Sequence, residues 1–275
     1  MPELPEVETV RRGVSSQVLN VPIKKIDVNY EKMINNDVDD FKKKLTGQKI
    51  TRIDRRGKYL LFRFTGNLTM VSHLRMEGKY IIEDHNAPME KHSHVIFELA
   101  DGRDLRYNDS RKFGRMQLMQ TGEELEFPGI KKLGPEPLSA DFTVDDFYNR
   151  LQKKKKMIKP ALLDQTVVTG LGNIYVDEVL WMSKIHPQTP ANHLTRSDVQ
   201  KLHDNIIKEL NLAIDAQGTT VFSFKNAYSH AGQFQDQLHV YRKTGEPCER
   251  CHTPIERLVV GQRGTHICPK EQKIK

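Results

Sequence analysis

Three places in the 275-residue sequence hold residues whose type and spacing suit chemistry. The first is the start, Met1-Pro-Glu-Leu-Pro-Glu-Val-Glu-Thr9. A small second residue favours removal of the initiator methionine, and the chain would then begin with the secondary amine of Pro2. An α-amino group titrates near about 7.7 to 8, so an appreciable fraction is unprotonated at neutral pH and can act as a nucleophile. When a proline amine attacks a sugar C1′, the resulting iminium keeps its positive charge, because the nitrogen has no second proton to lose. Such a cation is an electron sink able to drive elimination of phosphate from the neighbouring carbons. Glu3 and Glu6 stand beside it at the positive end of an expected helix, where carboxylates are favoured. A plainer reading has the prolines start the helix and the glutamates cap it; the residues alone leave both open.

The second place is Cys248-x2-Cys251-x16-Cys268, close to the spacing of a structural zinc ribbon. A fourth cysteine is expected at 271, where the chain has Glu271. The donor set can be completed by Glu271, by His252 or by His266, or the fourth position is open. Arg257 and Arg263 lie between the cysteines, and the glycines of Gly261-Gln-Arg-Gly-Thr265 allow a tight turn that pushes Arg263 outward toward phosphate. The third place is Thr169-Gly-Leu-Gly-Asn-Ile-Tyr175. Glycines followed by asparagine at a helix start leave backbone N–H groups and an amide donor aimed at one point, which suits an anion. Lys153 to Lys156 and Lys159 lie just upstream and make phosphate the natural anion.

The elements that must position these residues follow from periodicity. Val7, Val10, Val14 and Val18 recur at helical spacing and predict a helix over residues 3 to 19. Residues 22 to 120 give short β-rich runs between turn signals, among them Lys58–Phe64, His94–Leu99 and Gly114–Met119, as in a sandwich or barrel. Two prolines in Leu133-Gly-Pro-Glu-Pro-Leu138 mark a linker. Helical patterns follow over Phe142–Leu151, Ile158–Leu163, Val167–Gly172, Asn173–Met182 and Arg196–Ala216, and a small metal-stapled hairpin from Val240 onward.

Composition narrows the class. Before and through residue 150 there are 25 Lys+Arg against 24 Asp+Glu, and after it 18 against 12, so +6 of the net +7 lies in the C-terminal 125 residues. A regional basic excess suggests a polyanion as partner. Three cysteines gathered in the last 28 residues argue for metal or redox chemistry over a disulfide framework. No run approaches the ~20 apolar residues of a membrane span, and the start lacks the pattern of a secretory signal, so the expected location is the cytoplasm, associated with the nucleoid.

Taken together, the residues resemble the formamidopyrimidine-DNA glycosylase family, bifunctional enzymes that excise oxidised purines from DNA. Eight segments carry the likeness in order: Pro2–Thr9, Arg55–Leu60, His73–Gly78, Lys91–His94, Asp109–Gly114, Leu133–Pro137, Gly170–Tyr175 and the cysteine module. The resemblance implies an α+β fold: an N-terminal helix plus β-sandwich domain over 1–132, a linker and the start of the helical region over 133–150, a helix-two-turns-helix domain with the lesion loop over 151–238, and a zinc-finger β-hairpin over 239–275. It implies a monomer acting on damaged double-stranded DNA, with no membrane, and one structural zinc held by Cys248, Cys251 and Cys268, with Glu271 standing where the family's fourth ligand is expected.

The resemblance also implies roles. Pro2 matches the Schiff-base nucleophile, Glu3 the acid/base that assists base loss and ring opening, Lys58 the lysine of the elimination stage, and Arg263 the finger arginine that grips the lesion's phosphate and assists the second elimination. His92, Arg111, Lys154 and Asn173 match residues that hold DNA. The family takes its base out of the stack, and Met76, Arg111 and Phe113 match the residues that fill the hole. Gly218 to Gln237 corresponds to the loop that closes over the flipped base. The sister endonuclease VIII family, which favours oxidised pyrimidines, typically starts Pro-Glu-Gly-Pro where this chain has Pro2-Glu-Leu-Pro5. A noncatalytic DNA-binding relative would have no need to keep Pro2, Glu3 and Lys58 together.

Overall fold

The computed structural model describes residues 1–219 and 234–275, so most of the stretch matched to the lesion loop lies outside the described residues. The chain divides into two units, Met1–Lys131 with Ala216–Gln235, and Lys132–Asp215 with Asp236–Lys275.

In the first unit, α1 (Leu4–Val18) buries Val7, Val10, Val14 and Val18 completely, which is why the 3.6-residue period over this segment becomes a helix and not a strand. Pro5 lies in the first turn, where its missing N–H has no partner to lose. There follow β1 (Ile23–Val28), α2 (Val38–Leu45), β2 (Ile50–Arg56), β3 (Tyr59–Phe64), β4 (Leu68–His73), β5 (Lys79–Asp84), β6 (Ser93–Leu99), β7 (Arg103–Asn108) and β8 (Arg115–Gln120). They form two antiparallel sheets of order β1-β6-β7-β5 and β2-β3-β4-β8, the sandwich that the spacing of β-rich runs predicted. The side chains of α1 and of both sheets meet in one core that includes Phe62, Met70, Tyr80, Phe97 and Tyr107. The short α3 (Pro128–Lys131) covers Leu61 and Val71 on the second sheet's outer face through Ile130.

The second unit holds α4 (Val144–Gln152), α5 (Ile158–Leu163), α6 (Asn173–Met182), α7 (Arg196–Asp215) and a hairpin of β9 (Glu256–Val260) and β10 (Arg263–Ile267). Residues Ile174 to Trp181 of α6 are all buried, so this helix is the axle of the unit. Val167–Gly172, expected to be helical, is a series of turns. Its apolar residues are drawn down by the linker: Gly134 donates to the Gln165 carbonyl at 2.8 Å, Thr169 donates to the Pro135 carbonyl at 3.1 Å, and Gly170 takes φ +93°. Among the described residues no helix is long and apolar enough to cross a membrane.

Candidate active site and nucleic-acid interface

In the first unit, the start of α1 gathers the groups proposed for chemistry. Pro2 is buried, and Glu3, Glu6 and Lys58 are 3%, 2% and 7% exposed. Burial pushes the α-amino group of Met1 below its ordinary value; Glu3, Glu6 and Glu77 act against that shift, while Lys58 adds to it. The terminus therefore sits among three carboxylates and one ammonium, close enough for all four to act on it. The Met1 amine is thereby favoured in its neutral form more than an exposed terminus would be. Lys58 is delivered by the two-residue turn Gly57-Lys58 between β2 and β3, where Gly57 takes φ +57°.

The plainer reading of the glutamates holds as well, because Glu3 and Glu6 form a capping box in which Glu6 Oε2 accepts the Glu3 N–H at 2.8 Å. The other Glu6 oxygen accepts the N–H of Thr219 at 2.9 Å and its hydroxyl at 3.3 Å. Residues 218–219, assigned from sequence to the helical domain, are thus tied within this unit to the helix that carries the terminus. Nothing in the local sequence of either segment announces that bond.

Two neighbouring loops present the residues matched to gap filling. Met76 and Phe113 are 36% and 48% exposed, unusual for large apolar groups and contrary to a role in the sandwich core. The Arg111 guanidinium lies 4.9 Å from the Phe113 ring centroid. His73, at the end of β4, accepts the Arg75 N–H on Nδ1 at 2.9 Å, and burial, helped by Arg75 and Lys58, holds its pKa down to about 3. It is a neutral acceptor that helps hold Arg75 at φ +57°, directly before Met76. Asp109 is fully buried and accepts the N–H groups of Arg111, Phe113 and Gly114 at 3.0, 2.9 and 2.8 Å. His92 is partly exposed, and its carbonyl accepts the Asp109 N–H at 3.0 Å.

In the second unit, Asn173 opens α6 as expected and donates from Nδ2 to the Gly264 carbonyl at 3.0 Å. The same carbonyl accepts Lys159 Nζ at 3.0 Å, and that ammonium pairs with Asp177 at 2.6 Å with both side chains 0% exposed. Asp177 accepts the His266 N–H at 2.9 Å, so the pair bolts the hairpin to α6. Lys159, read from sequence as part of a phosphate cradle, is therefore corrected to a structural bolt: a buried ammonium with an ion-pair partner cannot also reach solvent phosphate. Gly261 and Gln262 form the tight turn at φ +55° and +63°, and a Cβ on Gly261 would lie 2.7 Å from Pro160 Cγ. Arg263 follows this turn and is exposed. Lys154 is half-buried and pairs with Asp164 at 3.1 Å, as Lys156 does at 2.8 Å.

The thiols of Cys248, Cys251 and Cys268 converge, with every ligand atom within 4.8 Å of the others. The hydroxyl and N–H of Thr253 pull Cys251 down to about 7, while burial pushes Cys268 up, so Cys251 ionises before Cys268. Three such sulfurs suit zinc. Glu271, expected as a fourth donor, is not brought into the group: its carboxylate pairs with Lys184 at 2.9 Å and Arg250 at 3.1 Å. His266 is likewise engaged with Asp177, and His252 is absent from the group.

Comparisons with known proteins agree with this geometry. Residues 1–116 match the model of the formamidopyrimidine-DNA glycosylase N-terminal domain, 133–225 that of its H2TH domain, and 245–270 that of the zinc finger found in FPG and IleRS. The formamidopyrimidine-DNA glycosylase of Ligilactobacillus salivarius is 62% identical over 100% of both chains. That of Latilactobacillus sakei is 61% identical over 99% of this chain and 98% of its own. A Lactococcus lactis Fpg variant in complex with Fapy-dG-containing DNA superposes with a TM-score of 0.94 at 46% identity, covering 99% of this chain and 100% of that one. The Lactococcus lactis complex with abasic-site DNA gives 0.93 at 46% identity, over 98% and 99%.

Proposed function

The chain belongs to the formamidopyrimidine-DNA glycosylase family, and from that membership we propose that it excises oxidised purines from duplex DNA and then cleaves the strand at the resulting abasic site. The observation that carries the chemistry is the burial of Pro2, Glu3 and Lys58 around the chain terminus.

With Met1 removed, the Pro2 nitrogen attacks C1′ of the damaged nucleoside. The C1′–N bond to the base breaks, the base leaves with a proton, and Glu3 protonates the sugar ring oxygen so that the ring opens to an iminium. Loss of a C2′ proton, with Lys58 serving this stage, expels the 3′ phosphate. A second elimination expels the 5′ phosphate, with Arg263 holding the departing anion, and water then returns the free amine. His92, Arg111, Lys154 and Asn173 supply phosphate contacts, and Met76, Arg111 and Phe113 fill the place of the extruded base. Zinc, when bound by Cys248, Cys251 and Cys268, crosslinks the finger that carries Arg263 and takes no part in bond making.

Borohydride added to protein and an 8-oxoguanine:cytosine duplex should trap a covalent protein–DNA adduct through the reduced imine. Absence of that adduct where binding is measured, or mass spectrometry finding Met1 retained, would sink the nucleophile assignment. Metal analysis should find one zinc per chain; a stoichiometry near zero with nicking intact would remove zinc from the account.

A further inference from the structure

We infer that Tyr107 is a positioning residue that couples the loop carrying Met76 to the loop carrying Arg111 and Phe113, so that the gap-filling groups are set as one rigid unit. The inference rests on the proposed gap-filling role of those residues. Tyr107 lies near the end of β7 with its ring in the core, packed against Tyr80 at 5.1 Å. Its hydroxyl is buried and has no hydrogen-bond partner among the described residues. A buried hydroxyl without a partner is unfavourable and is retained where its volume is needed.

That volume is what two glycines meet. A Cβ on Gly78, which ends the Met76 loop, would lie 2.1 Å from the Tyr107 hydroxyl; a Cβ on Gly114, which ends the Phe113 loop, would lie 1.7 Å from it. Both loops therefore close directly on the same oxygen atom, and neither can carry a side chain there. Gly78 also donates to the Leu74 carbonyl at 2.9 Å, which fixes the turn that lifts Met76. Asp109 fixes the other turn through its three N–H contacts. A side-chain bond joins the two directly, the Ser110 hydroxyl donating to the Glu77 carboxylate. With each loop braced internally, linked at its outer edge and stopped at its base by one hydroxyl, a displacement of either must move the other.

The test uses 2-aminopurine opposite the lesion, in the full-length Pro2→Gly protein so that the complex is not consumed. Its fluorescence rises when the intrahelical stack around the orphan base is replaced by protein groups. Gly114→Ala should reduce that rise several-fold at saturating protein, below the melting temperature of the variant. Adding Tyr107→Phe should restore part of it, because the 1.7 Å contact is removed and the ring has only to clear Cζ at 2.6 Å and Cε1 at 3.0 Å. Ser110→Ala, a surface change that leaves the fold intact, should reduce the rise about twofold. Steric relief alone also gives the rescue, so the coupling is read at Ser110: if Ser110→Ala leaves the rise unchanged while Gly114→Ala lowers it, the coupling is overturned. Met76→Ala separates the readings: if it leaves the signal unmoved, gap filling itself fails; if it abolishes the rise while Gly114→Ala and Ser110→Ala do not, only the coupling fails.

Discussion

Among the described residues the exposed Arg111 side chain of the first unit lies against an aromatic ring and in no ion pair, whereas Lys154, Lys156 and Lys159 in the second unit are already paired with Asp164 and Asp177. Residues 151–275 carry +6 of the net +7, yet Lys154, Lys156 and Lys159 among them are paired internally, while Arg257 and Arg263 of the hairpin are exposed. Residues 1–150, near-neutral in sum, also pair cations internally, Arg63 with Glu124 and Arg106 with Asp104 among them, while they bury Glu3 and Glu6 around the terminus and leave Arg111 exposed. A net charge thus counts groups without saying which of them a partner can reach, and the accessible ones are chosen by carboxylates such as Asp164 and Asp177.

The contrast can be attacked from its strongest side first. Pro2→Gly should keep DNA binding and lose strand cleavage on the order of 10³-fold or more, read by single-turnover nicking; full activity would place the chemistry elsewhere. Lys159→Met strips the bolt and leaves the buried Asp177 carboxylate without its ammonium partner, at a cost of about 3–5 kcal/mol by denaturant unfolding. If Lys159 were a phosphate ligand, the variant would lose affinity with stability unchanged.

A smaller effect comes from Glu209, which burial and the nearby Glu178 carboxylate push up to about 8. Its folded value lies above its ordinary 4.5, so the fold holds a proton that the unfolded chain releases, and stability falls as pH rises from about 4.5 to about 8. Glu209→Gln should melt several degrees above wild type at pH 8 and close to it at pH 4.5. The mildest effect concerns salt. Arg263→Ala should reduce the slope of log affinity against log salt by about 1, and Lys154→Ala by less, because Asp164 already offsets that charge. Equal slopes would erase the distinction between paired and exposed cations.

Much of this architecture is legible from the residues alone. The valines of α1 are a strong periodic signal, the sandwich follows from the spacing of its β-rich runs, and the cysteine spacing does bring three thiols together. Where reading along the chain fell short, the deciding partner was distant. Lys159 follows the lysine run like one more phosphate ligand, and only Asp177 and the Gly264 carbonyl show otherwise. Glu271 stands where a ligand is wanted, but Lys184 and Arg250 engage its carboxylate first. Gly78 and Gly114 look like ordinary turn glycines until Tyr107 is placed between them. Val167–Gly172 has helical spacing, and a linker thirty residues upstream makes it turn.

One buried carboxylate also orders events in time. Glu178 on α6 accepts the N–H groups of His239, Val240 and Tyr241 at 2.7, 3.0 and 2.7 Å, contacts that span 61, 62 and 63 residues. Closing so long a loop carries an entropy cost that is recovered only once α6 has docked and its carboxylate is enclosed. The hairpin with Arg263 is attached downstream of that closure, which predicts that this exposed arginine finds its place after the contacts at 239–241 have formed. During refolding, amide exchange at 239–241 should become protected with α6, ahead of the β9–β10 ladder.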